Sequence, residues 1–285
     1  MKLCIFAKDR IGAISDSSVT DITDLVPQPY RDDPGMAMNV LIRNWANVRQ
    51  EISRALSSLP KLPLDSVQLS APVCAPPHVF AAPANYRKHI GELGAQAVTK
   101  TTRTAREQGF FLKAPGSITG MAEGITLPDR PGRRFDHESE LAVIIGTGGK
   151  NIPRREALSH VFGYSCLVDL TMRIEPGTHE EERSMRKSFS TFTPIGPWIV
   201  TADEIPQPQG LSNRLWVNGQ LKQQANTAEM IVAVDELIEL VSGVIELSPG
   251  DVIASGTPEG VGPVVKGDSV EIEIEKIGRM TLQVR

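Results

Sequence analysis

The chain has 285 residues, 40% of them hydrophobic and 22% charged, so it can bury a core as one large domain or as one large domain with a small appendage. Its net charge of −4, from 34 acidic and 30 basic residues, gives no general attraction to nucleic acid or to an anionic membrane. The three cysteines are far apart and odd in number, which favours a reducing compartment over a disulfide framework.

The first residues of the chain argue against export and membrane insertion. MKLCIFAKDRIG forms a short strand-like run rather than the apolar core of a signal peptide. No stretch approaches the roughly 18–20 consecutive apolar residues that a membrane span needs. We therefore expect a cytoplasmic protein without membrane or nucleic-acid partners.

The N-terminal quarter has the pattern of a small α+β unit. KLCIFAK and RIGAIS predict two short strands, and the helical spacing of apolar residues over 38–59 predicts an amphipathic helix. The proline-rich segment 60–77, with the strand-like VQLSAPV inside it, indicates a linker. We place a domain boundary near residue 70, which gives a small domain at 1–70 and a catalytic domain at 71–285.

Beyond the linker the sequence becomes rich in strands. Three largely apolar runs have the pattern of strands buried on both faces: LAVIIG at 141–146, GYSCLVDLT at 163–171 and PWIVTADEI at 197–205. The final VEIEIEKIGRMTLQV predicts two alternating strands joined by a turn. Helices are too few for a βαβ alternation, so we expect a β-rich α+β fold with a mixed or antiparallel sheet.

Two local signals mark a hairpin and a helix in the last third of the chain. Asn218 and Gly219 lie between strand-like flanks and both tolerate positive φ, which predicts a hairpin turn. Asn226 and Glu229 have the spacing of a capping box, and the apolar spacing over 230–241 predicts a helix after them.

Three carboxylates form a candidate metal site. Glu138 and Glu140 are two residues apart at the start of a predicted strand, so their side chains leave the same face. Asp169 follows the next apolar run. A cation would reverse the repulsion between these charges, and Mg²⁺ fits such a set, with Mn²⁺ or Ca²⁺ as substitutes. Alternatively, the glutamates form a solvated strand edge and the aspartate caps a turn.

A histidine and a glutamate form a candidate acid–base pair. His89 and Glu92 share one face of a short predicted helix, because residues three apart on a helix are neighbours. Glu92 could orient His89 and raise its basicity, so that the imidazole takes a proton from water. Alternatively, the histidine lies exposed on a mobile surface loop.

Several short motifs in a fixed order make the chain resemble the fumarylacetoacetate hydrolase family from about residue 72 to the end. The matching stretches are NYRKHIGE, FFLKAPGSITG, DHESELAVIIG, GYSCLVDLT, RKSFSTFTPIGPWIVT, LWVNGQLKQQANTAEM, LSPGDVIASGTPEGVG and KGDSVEIEIEKIG. The resemblance implies a rolled, mixed β-sheet, barrel-like in outline, with a small N-terminal domain. It also implies a homodimer.

The resemblance also implies which residues act in the site. The metal ligands would be Glu138, Glu140 and Asp169, and the catalytic residues His89, Glu92 and Lys187. The substrate-binding residues would be Lys113, Arg173, Gly256 and Thr257. The chain departs from the family at Ser190, where aspartate is usual, in the stretch after Asp169, and in the loop at 93–108.

The resemblance and these residues together imply a Mg²⁺-dependent hydrolase that cleaves a C–C bond of an acylpyruvate or diketo acid in aromatic or sugar-acid catabolism. Two alternative reactions would use the same site but would not involve attack by water. They are decarboxylation of an oxaloacetate-type acid and isomerisation of an unsaturated 2-hydroxy diacid. A third alternative is a catalytically silent, metal-dependent protein that binds an oxo acid. The complete His89 and Glu92 pair argues against that third alternative.

Overall fold

The chain folds around one large sheet, as a computed structural model shows for residues 1–28, 35–96, 103–174 and 181–285. The early strands are β1 (Lys2–Phe6), β2 (Arg10–Ser15), β3 (Ser18–Asp21), β4 (Lys61–Pro63), β5 (Leu69–Ser70) and β6 (Val79–Ala81). The central strands are β7 (Phe111–Lys113), β8 (Ile118–Thr119), β9 (Phe135–His137), β10 (Ser139–Ile145), β11 (Val161–Val168), β12 (Thr171–Met172) and β13 (Thr193–Thr201). The late strands are β14 (Ser212–Val217), β15 (Gln220–Asn226), β16 (Val252–Ala254), β17 (Gly262–Pro263), β18 (Ser269–Ile274) and β19 (Gly278–Gln283).

The helices are few and mostly short. They are α1 (Ala37–Ala55), α2 (Arg87–Gln96), α3 (Ala105–Gln108), α4 (Arg154–Ala157), α5 (Arg183–Arg186) and α6 (Val234–Val244). In the described ranges, none of these helices is long and apolar enough to cross a membrane. The predicted helix at 38–59 is confirmed as α1, although it ends at Ala55, before the proline-rich segment.

The large sheet has 12 strands, with the path β4-β3-β2-β1-β13-β11-β10-β16-β6-β7 and with β5 on β1 and β8 on β13. Most pairs are antiparallel, whereas β6 with β16 and β8 with β13 are parallel. The path ends at two different strands, so the described part of the sheet is open and does not close into a barrel. The predicted β-rich α+β class with a mixed sheet is confirmed.

The centre of the sheet is its most buried part. Every residue of β10 and β11 is buried, as expected for continuous apolar strands covered on both faces. The first strand joins this sheet directly, because β1 pairs with β13 with Lys2 opposite Val200. The domain boundary near residue 70 stays a prediction.

A second, four-stranded sheet has the order β15-β14-β18-β19 and carries the predicted hairpin. Asn218 and Gly219 form its turn with φ of 51° and 74°, which confirms the prediction. The capping box of Asn226 and Glu229 is also present, but it caps a 3₁₀ turn at Thr227–Glu229. The helix α6 begins later than predicted, at Val234.

Candidate metal centre and active site

Two neighbouring strands bring the three predicted carboxylates together. Glu138 and Glu140 flank the first residue of β10, and Asp169 follows β11. These strands are antiparallel with Ser139 opposite Val168, and the Asp169 N–H donates to the Glu138 carbonyl at 2.8 Å. One oxygen from each carboxylate lies within 4.8 Å of the others, and all three side chains are buried. The solvated-edge alternative is therefore wrong.

The two glutamates have opposite pKa shifts although a single residue separates them. Burial raises the pKa of Glu140 well above its usual value, and repulsion from Asp169 and Glu138 raises it further. Burial also acts to raise the pKa of Glu138, but the positive charges of Lys187 and Arg173 outweigh burial and hold this pKa well below its usual value. Glu140 is therefore the carboxylate whose negative charge the protein alone compensates least.

Two lysines and one arginine contact the carboxylates. Lys187 Nζ donates to Glu138 at 2.8 Å and to Asp169 at 2.7 Å. Lys113 also donates to Asp169, and burial lowers the pKa of this lysine. Arg173 donates to Glu138 at 2.6 Å. Three side chains for which the sequence predicted catalytic or substrate-binding roles thus lie within the carboxylate cluster.

The donor set fits a hard divalent cation, because carboxylate oxygens are the protein ligands that such ions prefer. In the part of the chain that the structure describes, the hydrogen-bond partner of Glu140 is the backbone N–H of Gly256, at 2.7 Å, and not a cationic side chain. A cation beside Glu140 would stabilise the negative charge of this carboxylate, which burial and repulsion from Asp169 and Glu138 otherwise disfavour. Glu138, Glu140 and Asp169 are the residues that could hold it.

The predicted acid–base pair lies on α2. His89 Nδ1 lies 3.3 Å from Glu92 Oε2, which is the pairing expected for residues three apart on a helix. Only 5% of His89 is exposed, so the alternative of an exposed surface histidine is wrong. Burial acts to raise the pKa of Glu92, but the hydrogen bond and charge of His89 outweigh it and lower this pKa. Attraction to His89 also helps to lower the pKa of Glu138.

One loop, residues 256–260, contacts both groups. The Gly256 N–H donates to Glu140 at 2.7 Å, and the Gly260 N–H donates to Glu92 at 3.2 Å. Both glycines have positive φ, +91° and +89°, which side chains with a Cβ rarely adopt. The loop therefore connects a carboxylate of the candidate metal centre with the partner of the histidine.

The predicted substrate-binding residues of this loop are held by buried neighbours. A Cβ on Gly256 would come within 2.6 Å of the Asn85 Cβ, so the close packing here requires glycine. Thr257 Oγ1 accepts a hydrogen bond of 2.9 Å from Gln223 Nε2. Its own hydroxyl hydrogen thus remains to be donated to another group.

Three polar residues that the sequence did not single out also lie here: Asp136, Thr171 and Gln223. Asp136 accepts from Arg173 at 2.6 Å, and Thr171 accepts from Lys187 at 2.6 Å. Asp136 precedes Glu138 by two residues, so extending the alternating acidic pattern by one step would have found it. No local pattern marks Thr171 or Gln223.

Two of the segments in which the sequence departs from the family lie partly outside the described residues. They are the loop at 93–108, of which 97–102 fall outside, and the stretch after Asp169, of which 175–180 fall outside. The remaining site residues lie in described segments.

Known proteins resemble this chain in both sequence and structure. Residues 78–285 match the family described as Fumarylacetoacetate (FAA) hydrolase C-terminal. A maleylpyruvate hydrolase of Aquipseudomonas alcaligenes is 41% identical over 291 residues, which cover 100% of this chain and 99% of that protein.

Solved structures of enzymes with related names also resemble this chain. The maleylpyruvate hydrolase from Sphingobium sp. SYK-6 in complex with manganese(II) ion and pyruvate has a TM-score of 0.87 at 39% identity, over 100% of this chain and 98% of that one. A probable 2-hydroxyhepta-2,4-diene-1,7-dioate isomerase from Mycobacterium abscessus has a TM-score of 0.81 at 29% identity, with the same coverage. The family match over 78–285 and the full-length identity of 41% show that the chain belongs to the fumarylacetoacetate hydrolase family.

Proposed function

We propose that this enzyme hydrolyses a C–C bond of an acylpyruvate or related diketo acid and uses Mg²⁺ as its cation. The observation that carries the proposal is the loop 256–260, which joins a candidate water-activating pair to a carboxylate of the candidate metal centre. Relatives support the substrate class. One full-length relative is a maleylpyruvate hydrolase, and a solved relative holds manganese(II) and pyruvate.

The reaction adds water across the bond between the acyl carbon and the methylene carbon of the pyruvate half. Glu138, Glu140 and Asp169 would hold the cation, which would supply a Lewis acid for negative charge on substrate oxygens. His89 takes one proton from the attacking water, and the water oxygen forms a bond to the acyl carbonyl carbon. The C–C bond then breaks, its electron pair stays with the methylene carbon, and that carbon takes up the proton that His89 removed from water. The products are pyruvate and a carboxylic acid.

The charge of the site suits an anionic substrate. Glu92 holds the imidazole in place and stabilises its protonated form, so that the proton taken from water has a favourable acceptor. Lys187 supplies positive charge beside the cluster. Arg186 belongs to the same basic group, since burial and repulsion from Arg173 and Arg183 lower its pKa. Thr257 can donate its hydroxyl to the bound acid.

A second candidate is isomerisation of an unsaturated 2-hydroxy diacid. It is favoured by the structural similarity to the probable 2-hydroxyhepta-2,4-diene-1,7-dioate isomerase of Mycobacterium abscessus. Isomerisation moves a proton between carbons and consumes no water. The pair of His89 and Glu92 can serve either reaction, so the two reactions are distinguished by their products.

We further propose that the enzyme is a homodimer, as the family resemblance implies, and that it acts in the cytoplasm in aromatic or sugar-acid catabolism. Light scattering of the purified protein tests the oligomeric state. A homodimer should have twice the chain mass of 31.0 kDa. A particle of one chain mass at micromolar concentration would contradict this part of the proposal.

The experiment that tests the reaction is a substrate panel followed by NMR. The cation-loaded protein is incubated with acylpyruvates, oxaloacetate and an unsaturated 2-hydroxy diacid. We expect equal amounts of pyruvate and a carboxylic acid from an acylpyruvate, with one oxygen of that acid derived from ¹⁸O-labelled water. Turnover of the hydroxy diacid alone, without incorporation of solvent oxygen, would replace hydrolysis by isomerisation.

A further inference from the structure

The side-chain amide of Gln223 links the start of β10, between the ligand candidates Glu138 and Glu140, to the loop 256–260. Gln223 lies on β15, and only 1% of it is exposed. Its Oε1 accepts from the Ser139 N–H at 2.9 Å and lies 3.1 Å from His137 Nδ1. Its Nε2 donates to Thr257 Oγ1 and to the Pro258 carbonyl, both at 2.9 Å. Both amide hydrogens and the amide oxygen therefore have partners.

The orientation of this amide is fixed by two backbone groups. A flipped amide would place its NH₂ group against the Ser139 N–H and its carbonyl against the Pro258 carbonyl. Both new contacts would be repulsive, because they join donor to donor and acceptor to acceptor. Gln223 can therefore make its contacts in one orientation, which sets the distance between the two segments.

Each of these segments carries part of the site. Ser139 lies between Glu138 and Glu140, and the loop 256–260 donates N–H groups to Glu140 and, through Gly260, to Glu92. The loop also packs directly on β15, since a Cβ at Gly260 would come within 2.1 Å of the carbonyl oxygen of Lys222. A change at Gln223 thus reaches the carboxylates and the histidine through short contacts.

We infer that Gln223 is a positioning residue, which sets the acid–base pair of α2 relative to the carboxylates through the loop 256–260. This inference rests on the proposed function for its effect on rate, but the contacts themselves do not depend on the substrate. Catalysis requires reacting groups to be placed to within a fraction of an ångström, and a displacement of 1 Å can cost roughly 100-fold in rate.

The test compares Gln223→Met, which keeps the length of the side chain and removes its hydrogen bonds, with Gln224→Met as a matched control. Gln224 is the next residue of β15 and is exposed on the other face. At saturating cation and substrate, and well below the melting temperature of the variant, Gln223→Met should lower kcat by about 10- to 100-fold. Hydrogen exchange at the Gly256 and Gly260 amides should become faster, while Gln224→Met should leave both measurements within twofold of the native protein.

A purely structural role would give a different result. Gln223→Met would then lower the melting temperature and leave kcat of the folded protein within twofold, which would overturn the inference. Unchanged exchange at Gly256 and Gly260 would overturn it as well.

Gln223→Glu provides a second variant if Gln223→Met does not fold. It keeps the acceptor for Ser139 and removes the donors to the loop, so the same loss of kcat and the same faster loop exchange are expected. Native kcat and native exchange in this variant would overturn the inference. If the native protein hydrolyses no acylpyruvate while loop exchange still responds to Gln223, the proposed function fails and the link through Gln223 stands.

Discussion

At the scale of single residues, the site depends on how two similar carboxylates are surrounded. Glu138 has Lys187 and Arg173 as close partners, whereas Glu140 has a backbone N–H and two carboxylate neighbours. The sequence shows only that two glutamates share a face, so it predicts that both carboxylates are destabilised equally by their mutual repulsion. In the structure, Glu140 is the more destabilised of the two, because Lys187 and Arg173 compensate the charge of Glu138.

Glu140→Gln tests this assignment. The amide keeps an oxygen for the Gly256 N–H and offers donors to Glu138 and Asp169, so the melting temperature of the cation-free protein should hold or rise. Calorimetry should show Mn²⁺ affinity falling by more than the roughly 10- to 100-fold that loss of an outer-shell partner costs. The control Glu138→Gln weakens the ion pairs that Lys187 and Arg173 make with this carboxylate, so it should lower the melting temperature. Unchanged Mn²⁺ affinity in Glu140→Gln would exclude this residue as a ligand.

His89→Ala separates water activation from cation binding. Loss of a general base should lower kcat for hydrolysis by on the order of 10²–10⁴-fold, while the cation affinity changes little because the three carboxylates remain. Glu92→Gln should give a milder loss, since the imidazole stays in place and loses only the supporting charge. Steady-state kinetics on an acylpyruvate measure both variants. A native rate in His89→Ala would remove this histidine from the mechanism.

At the scale of elements, the glycine turns decide how closely the loop 256–260 approaches the rest of the site. The sequence predicts the strands, the hairpin and α1 from local patterns, and the family resemblance implies roles for Gly256 and Thr257. It does not predict that Gly260 packs on the Lys222 carbonyl or that Gln223 spans to Ser139. These contacts join residues that lie far apart in the chain, and no local spacing encodes them.

Gly260→Ala tests the close packing of this loop, with Gly267→Ala as a matched control. Both glycines have positive φ, +89° and +99°, but a Cβ at Gly267 would meet nothing within 4 Å. The control should lose only the backbone preference, about 1–2 kcal/mol in the free energy of unfolding. Gly260→Ala should lose more, because the Cβ clashes with the Lys222 carbonyl. It should also lose kcat, because the clash displaces the backbone N–H that residue 260 donates to Glu92. Denaturant unfolding and kinetics check this, and equal losses in the two variants would contradict the packing argument.

At the scale of the whole molecule, the order of strands is what the sequence leaves open. The strand β1 pairs with β13, with Lys2 opposite Val200, and β13 in turn pairs with β11, after which Asp169 follows. Alternation and apolar runs identify strands, but the partner of each strand is set by packing across the whole fold. The fold class was therefore predictable, whereas the joining of the first strands to the sheet of the metal centre was not.

Cation binding should stabilise the whole molecule, because the carboxylates come from strands at the centre of its main sheet. A ligand that binds only the folded state at 100 times its Kd adds about 2.7 kcal/mol to the free energy of unfolding. Thermal unfolding with and without Mn²⁺ measures the shift, and Glu140→Gln serves as the control. If Mn²⁺ does not raise the melting temperature of the native protein, cation binding at this site is contradicted.

The most direct test of the account is the rate of acylpyruvate hydrolysis by protein from which divalent cations have been removed and then restored. Pyruvate release should stop in protein verified as metal-free by elemental analysis. It should return in proportion to bound Mg²⁺ or Mn²⁺, up to one ion per chain. Hydrolysis at the full rate in the verified metal-free protein would contradict the central claim that this enzyme works through a cation held by Glu138, Glu140 and Asp169.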